Sequence, residues 1–252
     1  MNGDELDPQL EQQAALEAAA RAISRAASIC VSTGAGMSAE SGIATFRDRD
    51  GAWSKFNPAE LATPEGFRRD PLKVWEWYRA RRKQLTECTP HEGYRVLARW
   101  ESRFERFDLI TQNVDGFHRQ VGCKRVIELH GRLDQARCIA CEHVCVGPDD
   151  LGPDPKCPTC GSRLRPGVVW FGEMLPEGAI EAAFAAAESC DVFLVIGTSG
   201  VVQPAASLAL AARERGATVI EINPQATELS SVAHIAIRAG SRTALRDIEC
   251  LL

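Results

Sequence analysis

Short apolar runs alternate with longer amphipathic stretches along most of the chain. Residues Leu10 to Ala27 are Ala-rich with helical spacing, and Ser28-Ile29-Cys30-Val31-Ser32 follows as a strand-length run leading into Thr33-Gly34-Ala35-Gly36. Runs at Phe107–Thr111, Val126–Leu129, Val192–Ile196 and Thr218–Ile222 predict further strands, with a weaker one at His234–Ile237. Helical patterns occupy about 177–189 and 204–215, where Pro204 suits a first turn and Gly216 a C-terminal stop. This β-turn-α alternation predicts an α/β fold: a Rossmann-type, largely parallel sheet with helices on both faces.

Two stretches break the rhythm. Residues 48–105 read as a helical insertion, in which Asp70-Pro71 and Thr89-Pro90 each present a capping residue followed by proline at the first helical position. Residues 131–166 are rich in Cys, Pro, Gly and Asp and show no sustained periodicity. Both are expected as insertions into a single domain spanning 1–252, its core formed by about 22–47, 106–130 and 167–252.

Composition narrows the function classes. The chain has 252 residues, 34 Asp+Glu against 29 Lys+Arg, and 45% hydrophobic residues, which suits a globular protein with a substantial core. A net charge of −5 argues against a nucleic-acid binder, which needs basic surface to displace counterions. No apolar run reaches the roughly 18 residues of a membrane span. The polar, acidic start Met1-Asn2-Gly3-Asp4-Glu5 lacks the features of a signal or transit peptide. A cytoplasmic protein without nucleic-acid or membrane partners is expected, and its ten cysteines then point to metal binding or burial rather than disulfides.

Cys138-x2-Cys141-x15-Cys157-x2-Cys160 has the spacing of two thiolate knuckles closing a tetrahedron around one zinc ion. Four sulfurs leave no open position, so the metal would be structural. Gly34-Ala35-Gly36-Met37-Ser38-Ala39 follows a strand and matches a dinucleotide-binding turn, in which the glycines let backbone N–H groups approach a pyrophosphate. About 20 residues on, where a dehydrogenase has a strand ending in an acid, the sequence reads Ala52-Trp53-Ser54-Lys55-Phe56-Asn57. That weakens a hydride-transfer reading.

The longer pattern is more specific. GAGMSAESGIATFRDRDGAW (34–53), TQNVD (111–115), ELHG (128–131), RPGVVWFGEMLP (165–176), GTSGVVQPA (197–205) and EINP (221–224) occur in this order, with the four-cysteine module between the third and fourth. Together they closely resemble the sirtuins, NAD-dependent protein-lysine deacylases, over residues 25 to 250.

The resemblance implies roles for particular residues. Gly34, Ala35, Gly36 and Ser38 would cradle the NAD pyrophosphate, and Thr45, Phe46, Arg47 and Trp53 would lie toward the nicotinamide end. Gln112, Asn113, Val114 and Asp115 would hold the nicotinamide ribose and carboxamide. Gly197, Thr198 and Ser199 would meet the phosphates and adenosine, with Asn223, Pro224 and Gln225 at the adenosine ribose. His130 would be the general base and Asn113 its catalytic companion. In the sirtuin reaction the acyl oxygen attacks C1′ of the nicotinamide ribose and nicotinamide leaves. His130 then deprotonates a ribose hydroxyl, and free lysine and O-acyl-ADP-ribose follow. NAD+ is thus a consumed co-substrate, and the partner is an acylated lysine of a protein. A mono-ADP-ribosyltransferase using the same NAD site is the alternative enzyme.

The acyl preference can also be read. Val74, Tyr78 and Leu85 recur at helical spacing with Arg81 on the same stripe, and an arginine on an apolar face is costly unless it meets an anion. Tyr78-x-x-Arg81 matches the pair by which class III sirtuins bind the carboxylate of succinyl- or malonyl-lysine, and Ala62 matches the small residue that widens their acyl pocket. The peptide is expected as an added strand between 168–173 and 200–203, touching Val169, Phe171, Gly172, Glu173 and Val202.

Overall fold

The computed structural model describes residues 7–45, 56–147 and 151–252. Its main sheet contains β1 (Ser28–Thr33), β2 (Arg106–Thr111), β3 (Val126–Glu128), β7 (Val192–Ile196), β8 (Thr218–Ile222) and β9 (Ile235–Ile237) in the order β3-β2-β1-β7-β8-β9. Every pairing is parallel. Near-continuous apolar runs such as Val192–Ile196 are what such a sheet favours, because both faces are covered.

Side-chain alternation divides the core. Ile29, Val31, Leu194 and Ile220 face a cluster with the helices Pro8–Arg25 (α1), Glu92–Arg103 (α6) and Ser241–Cys250 (α10). Cys30, Ile110, Phe193 and Val219 face the opposite cluster with Ala179–Glu188 (α8) and Leu208–Glu214 (α9). The shorter helices are α2 (Ala35–Ala39), α3 (Pro58–Leu61), α4 (Pro64–Arg69), α5 (Pro71–Thr86) and α7 (Phe117–Gln120). Asp70 caps α5 as expected, its carboxylate accepting from the Lys73 amide at 3.0 Å.

Four expectations need correction. The helix after Thr89-Pro90 starts at Glu92, because His91, not Thr89, caps it: Nδ1 accepts from the Gly93 amide at 3.0 Å. The segment at 204–215 opens with a 3-10 turn at Ala205–Ser207, so α9 begins later than expected, at Leu208. Helix α10 was not anticipated, although Ala244, Leu245 and Ile248 have helical spacing. The cysteine-rich segment contains an antiparallel sheet, β5-β4-β6, built from β4 (Gly131–Cys138), β5 (Val144–Val146) and β6 (Leu164–Val168).

The two insertions also share a core. Trp75, Tyr78, Phe67 and Leu61 pack with Leu133, Cys138, Cys157, Leu164 and Trp170 in one buried cluster. The Trp75 indole N–H donates to the Leu164 carbonyl at 2.9 Å, so the apolar content that β4–β6 lack is supplied by α5. By contrast α6, expected within the helical insertion, packs against the main sheet through Tyr94, Leu97 and Trp100.

Candidate functional site

The carboxyl ends of β1, β2, β7 and β8 converge, which is where an open parallel sheet places a ligand. Two glycine turns meet there backbone to backbone. A Cβ on Gly36 would lie 2.8 Å from the Gly197 Cα, and one on Gly197 would lie 2.3 Å from the Met37 amide nitrogen. Gly197 also has φ +61°. The Gly34 amide donates to Ile196 O at 2.9 Å and the Gly36 amide to Gly197 O at 2.7 Å. These two N–H groups are satisfied by backbone carbonyls, and Gly36 and Gly197 let the turns touch.

Beside the turns lies a cleft whose walls include Ala35, Ser38, Arg81, Asn113, Val114 and Asp115. Ser38 Oγ is fully engaged. It donates to Asp115 Oδ2 at 2.6 Å and accepts from Asn113 Nδ2 at 3.1 Å and from the Tyr94 hydroxyl at 2.9 Å. Asn113 Nδ2 also donates to Gly34 O at 2.9 Å, and the Asn113 amide donates to Thr111 Oγ1 at 3.0 Å. Burial raises the Asp115 carboxyl above its ordinary pKa, against hydrogen bonds from Ser38 and the Phe117 amide and the positive charge of Arg81.

His130 follows β3. Its Nδ1 lies 3.0 Å from the Gln112 carbonyl, an acceptor only, so Nδ1 carries the proton and Nε2 keeps its lone pair. Burial lowers its pKa below the ordinary histidine value, with the Gln112 carbonyl opposing. The Gln112 side chain reaches Thr198 Oγ1 at 3.4 Å. On the β8 side, Asn223 Nδ2 donates to Thr198 O at 3.1 Å and its Oδ1 accepts from the Gln225 amide at 3.3 Å. Pro224 lies between them, and Ser199 is exposed. Phe46, Arg47 and Trp53 lie outside the described residues, and Thr45 borders them.

One helical turn before Arg81 on α5, Tyr78 accepts a hydrogen bond from the Trp170 indole at 2.9 Å, and burial pushes its phenol pKa up to about 12. Arg81 lies 4.9 Å over the Trp77 ring, and burial lowers its pKa while Tyr78 and Asp115 oppose that shift. Ala62 is buried, and its carbonyl accepts from the Phe171 amide at 2.9 Å. Val169 donates its amide to His130 O at 2.9 Å, which joins the VVWFGE segment to His130. The Glu173 carboxylate accepts from Arg165, Arg137 and the Trp170 amide and braces the turn containing Gly172. Val202 is half-buried beside the cis Gln203-Pro204 bond.

The sulfurs of Cys138, Cys141, Cys157 and Cys160 lie within 4.8 Å of one another. Hydrogen bonds from Ser162 draw the Cys160 thiol down to about 6. Four convergent sulfurs fit zinc, and the donor set is complete without water. Cys145 stands outside the cluster, 3.0 Å from His143 Nε2.

Several supporting residues escaped the sequence reading. Tyr94, His118 and Trp170 are buried polar aromatics whose partners are distant in sequence. His118 Nε2 meets Thr33 Oγ1 at 3.0 Å, Thr33 meets Thr111 at 2.9 Å, and that chain ends at the Asn113 amide.

The Sir2 family profile matches residues 34–204. An NAD-dependent protein deacylase of Aquifex aeolicus (strain VF5) is 49% identical over 218 residues, 86% of this chain and 91% of its own length. A Sir2 homologue solved with NAD superposes with a TM-score of 0.83 at 40% identity, covering all of this chain and 96% of that one. A Sir2 protein solved with a deacetylated p53 peptide and 3′-O-acetyl ADP-ribose gives 0.82 at 28% identity, covering 92% and 96%.

Proposed function

The chain belongs to the Sir2 family, and on that premise we propose that it is an NAD-dependent protein deacylase favouring lysine acyl groups that end in a carboxylate, succinyl or malonyl, with acetyl as a weaker substrate. The placement of Arg81 carries the acyl preference. Its partly desolvated guanidinium shares a cleft wall with Asn113 and Asp115, one helical turn from Tyr78. A carboxylate entering that cleft would meet a positive charge and a phenol donor in apolar surroundings, where a charge-assisted hydrogen bond is strongest.

Within this reading NAD+ occupies the carboxyl end of the sheet. Gln112, Asn113 and Asp115 hold the nicotinamide ribose and carboxamide. Thr198, Ser199 and Asn223 meet the phosphates and adenosine. Gly34, Gly36 and Gly197 keep the floor thin enough for the pyrophosphate to approach. The lone pair on His130 Nε2 takes a proton from a ribose hydroxyl, while Gln112 keeps the imidazole in the required tautomer. The products are nicotinamide, O-acyl-ADP-ribose and free lysine.

The peptide adds as a strand beside 168–173, where β6 lies at the edge of its sheet. Zinc is held by Cys138, Cys141, Cys157 and Cys160, one ion per chain, and its contribution is structural.

A panel of acetyl-, malonyl-, succinyl- and glutaryl-lysine peptides with NAD, read by product mass, tests the assignment. O-acyl-ADP-ribose from the acidic acyl peptides at higher kcat/KM than from acetyl is the expected result. ADP-ribosylated protein without O-acyl-ADP-ribose would identify a transferase instead, and equal acetyl and succinyl rates would remove the acyl preference.

A further inference from the structure

We propose that Trp170 is a positioning residue for Tyr78, and through it a determinant of selectivity for carboxylate-ended acyl groups. The proposal rests on the acyl reading above and adds a residue that the Tyr78–Arg81 pattern does not contain. An indole N–H can only donate, so across the 2.9 Å contact the Tyr78 oxygen must accept. With one side of the oxygen occupied by Trp170, the phenol's own proton is directed away from the indole. Arg81, three residues further along α5, is near enough to affect the ionisation of Tyr78. On this proposal the hydroxyl proton left free by that contact serves the same acyl carboxylate as the Arg81 guanidinium, one helical turn along α5.

Trp170 itself is rigidly held. It is 3% exposed, and Tyr78 is 5% exposed. The Arg165 guanidinium stacks 3.4 Å from the centre of the Trp170 ring, and Phe67 packs on it at 5.2 Å. The Trp170 amide donates to Glu173 Oε2 at 2.8 Å, and Glu173 in turn pairs with Arg165. Burial raises the Glu173 pKa, but Arg165 and the Trp170 amide hold it below its ordinary value, so the pair stays charged at neutral pH. A side chain held by Arg165 and Phe67 on its ring and by Glu173 at its backbone fixes a hydrogen bond better than a loop residue can. It also places the acyl-reading hydroxyl one residue from Phe171, on the segment proposed to dock the peptide.

The test is Trp170→Phe, which keeps an aromatic ring in the slot and removes the indole donor, with Tyr78→Phe and the double variant beside it. Steady-state kinetics with succinyl- and acetyl-lysine peptides are measured for all four proteins, with melting temperatures. Trp170→Phe should lower the succinyl-to-acetyl ratio of kcat/KM about fivefold, the size of one hydrogen bond, mainly through KM for the succinyl peptide. In the Tyr78→Phe background the same change should leave the ratio where Tyr78→Phe put it, because the two residues act through one contact. An unchanged ratio in Trp170→Phe, or an equal drop in both backgrounds, would make Trp170 a packing residue and overturn the proposal. Wild-type protein with no succinyl preference would instead remove the acyl reading, and the proposal with it; the two failures are told apart in the wild-type measurement.

Discussion

His130 Nδ1 lies 3.0 Å from the carbonyl of Gln112, so a residue that lines the proposed nicotinamide site also fixes the tautomer of the proposed base. That contact makes the acid limb of activity predictable. Burial holds His130 below its ordinary value of 6.5, so the imidazole stays neutral, and able to accept a proton, down to lower pH than a free histidine. The acid limb of kcat/KM should have its midpoint below 6.5. His130→Ala should lower turnover by about 10²–10⁴-fold, the range typical of a lost general base, with zinc content and melting temperature little changed. Near-wild-type turnover in that variant would exclude His130 as the base.

The parallel strands were readable because a strand buried on both faces must be apolar throughout, and Ile29–Val31 and Val192–Ile196 are. The β4–β6 sheet was not readable. Its strands are only partly apolar, and Gly167 and Pro166 stand inside β6. The partner of that sheet is α5, whose Trp75 indole bonds to Leu164 from 89 residues away in sequence. Motif order brought Ser38, Asn113, Asp115 and His130 forward as candidates. It could not reveal that Tyr94 and Asn113 both donate to Ser38, or that Trp170 bonds to Tyr78, because nothing local ties residues so far apart.

The shared core of α5 and the cysteine module makes zinc removal more than a local event. Cys138 and Cys157 are buried in the cluster that holds Trp75, Tyr78 and Trp170. One zinc per chain is expected by metal analysis. Chelation should shift tryptophan emission to the red as Trp75 and Trp170 meet water. Activity should fall together with that shift, since Tyr78 belongs to the same cluster. Cys157→Ala should give insoluble protein or reproduce the chelated state, because structural zinc supplies folding free energy directly. Metal-free protein with native emission and full activity would contradict this coupling.

His118 predicts a pH dependence of stability. It is completely buried, and burial lowers its pKa to about 3 from the ordinary 6.5. Nε2 bonds to Thr33 Oγ1, whereas Nδ1 has no hydrogen-bond partner among the described residues, so a second ring proton would have no acceptor there. Between pH 3 and 6.5 the unfolded chain therefore binds the proton that the native state refuses. Stability is lost as the pH falls through that window and is fully present above it. From pH 7 to pH 5 the contribution is about 2 kcal/mol. Urea unfolding at those two pH values should show His118→Gln losing less stability than wild type by about that amount; identical losses would mean that His118 titrates normally.

Arg81→Met tests the acyl assignment most directly. The guanidinium lies in a cleft whose other charged wall residue, among the described residues, is Asp115, itself an anion when ionised. Without Arg81, an incoming acyl carboxylate would face Asp115 with no compensating charge, so repulsion adds to the lost attraction. Truncating one partner of a desolvated charge pair typically costs about 2–5 kcal/mol. The succinyl-to-acetyl ratio of kcat/KM should therefore fall by at least about 30-fold, since each 1.4 kcal/mol is about a factor of ten. An acetyl group brings no charge, so its turnover should change by a much smaller factor than that of the succinyl group. The loss should also differ from that in Tyr78→Phe, which removes one neutral donor and so costs about 1 kcal/mol. Raising salt should weaken succinyl-peptide binding less than it weakens a surface ion pair, because a pair enclosed in the cleft is poorly screened. If Arg81→Met lowers the two activities by the same factor, Arg81 supports the fold of α5 rather than reading the acyl group. The NAD-dependent chemistry would then stand on His130, Asn113 and Asp115 alone.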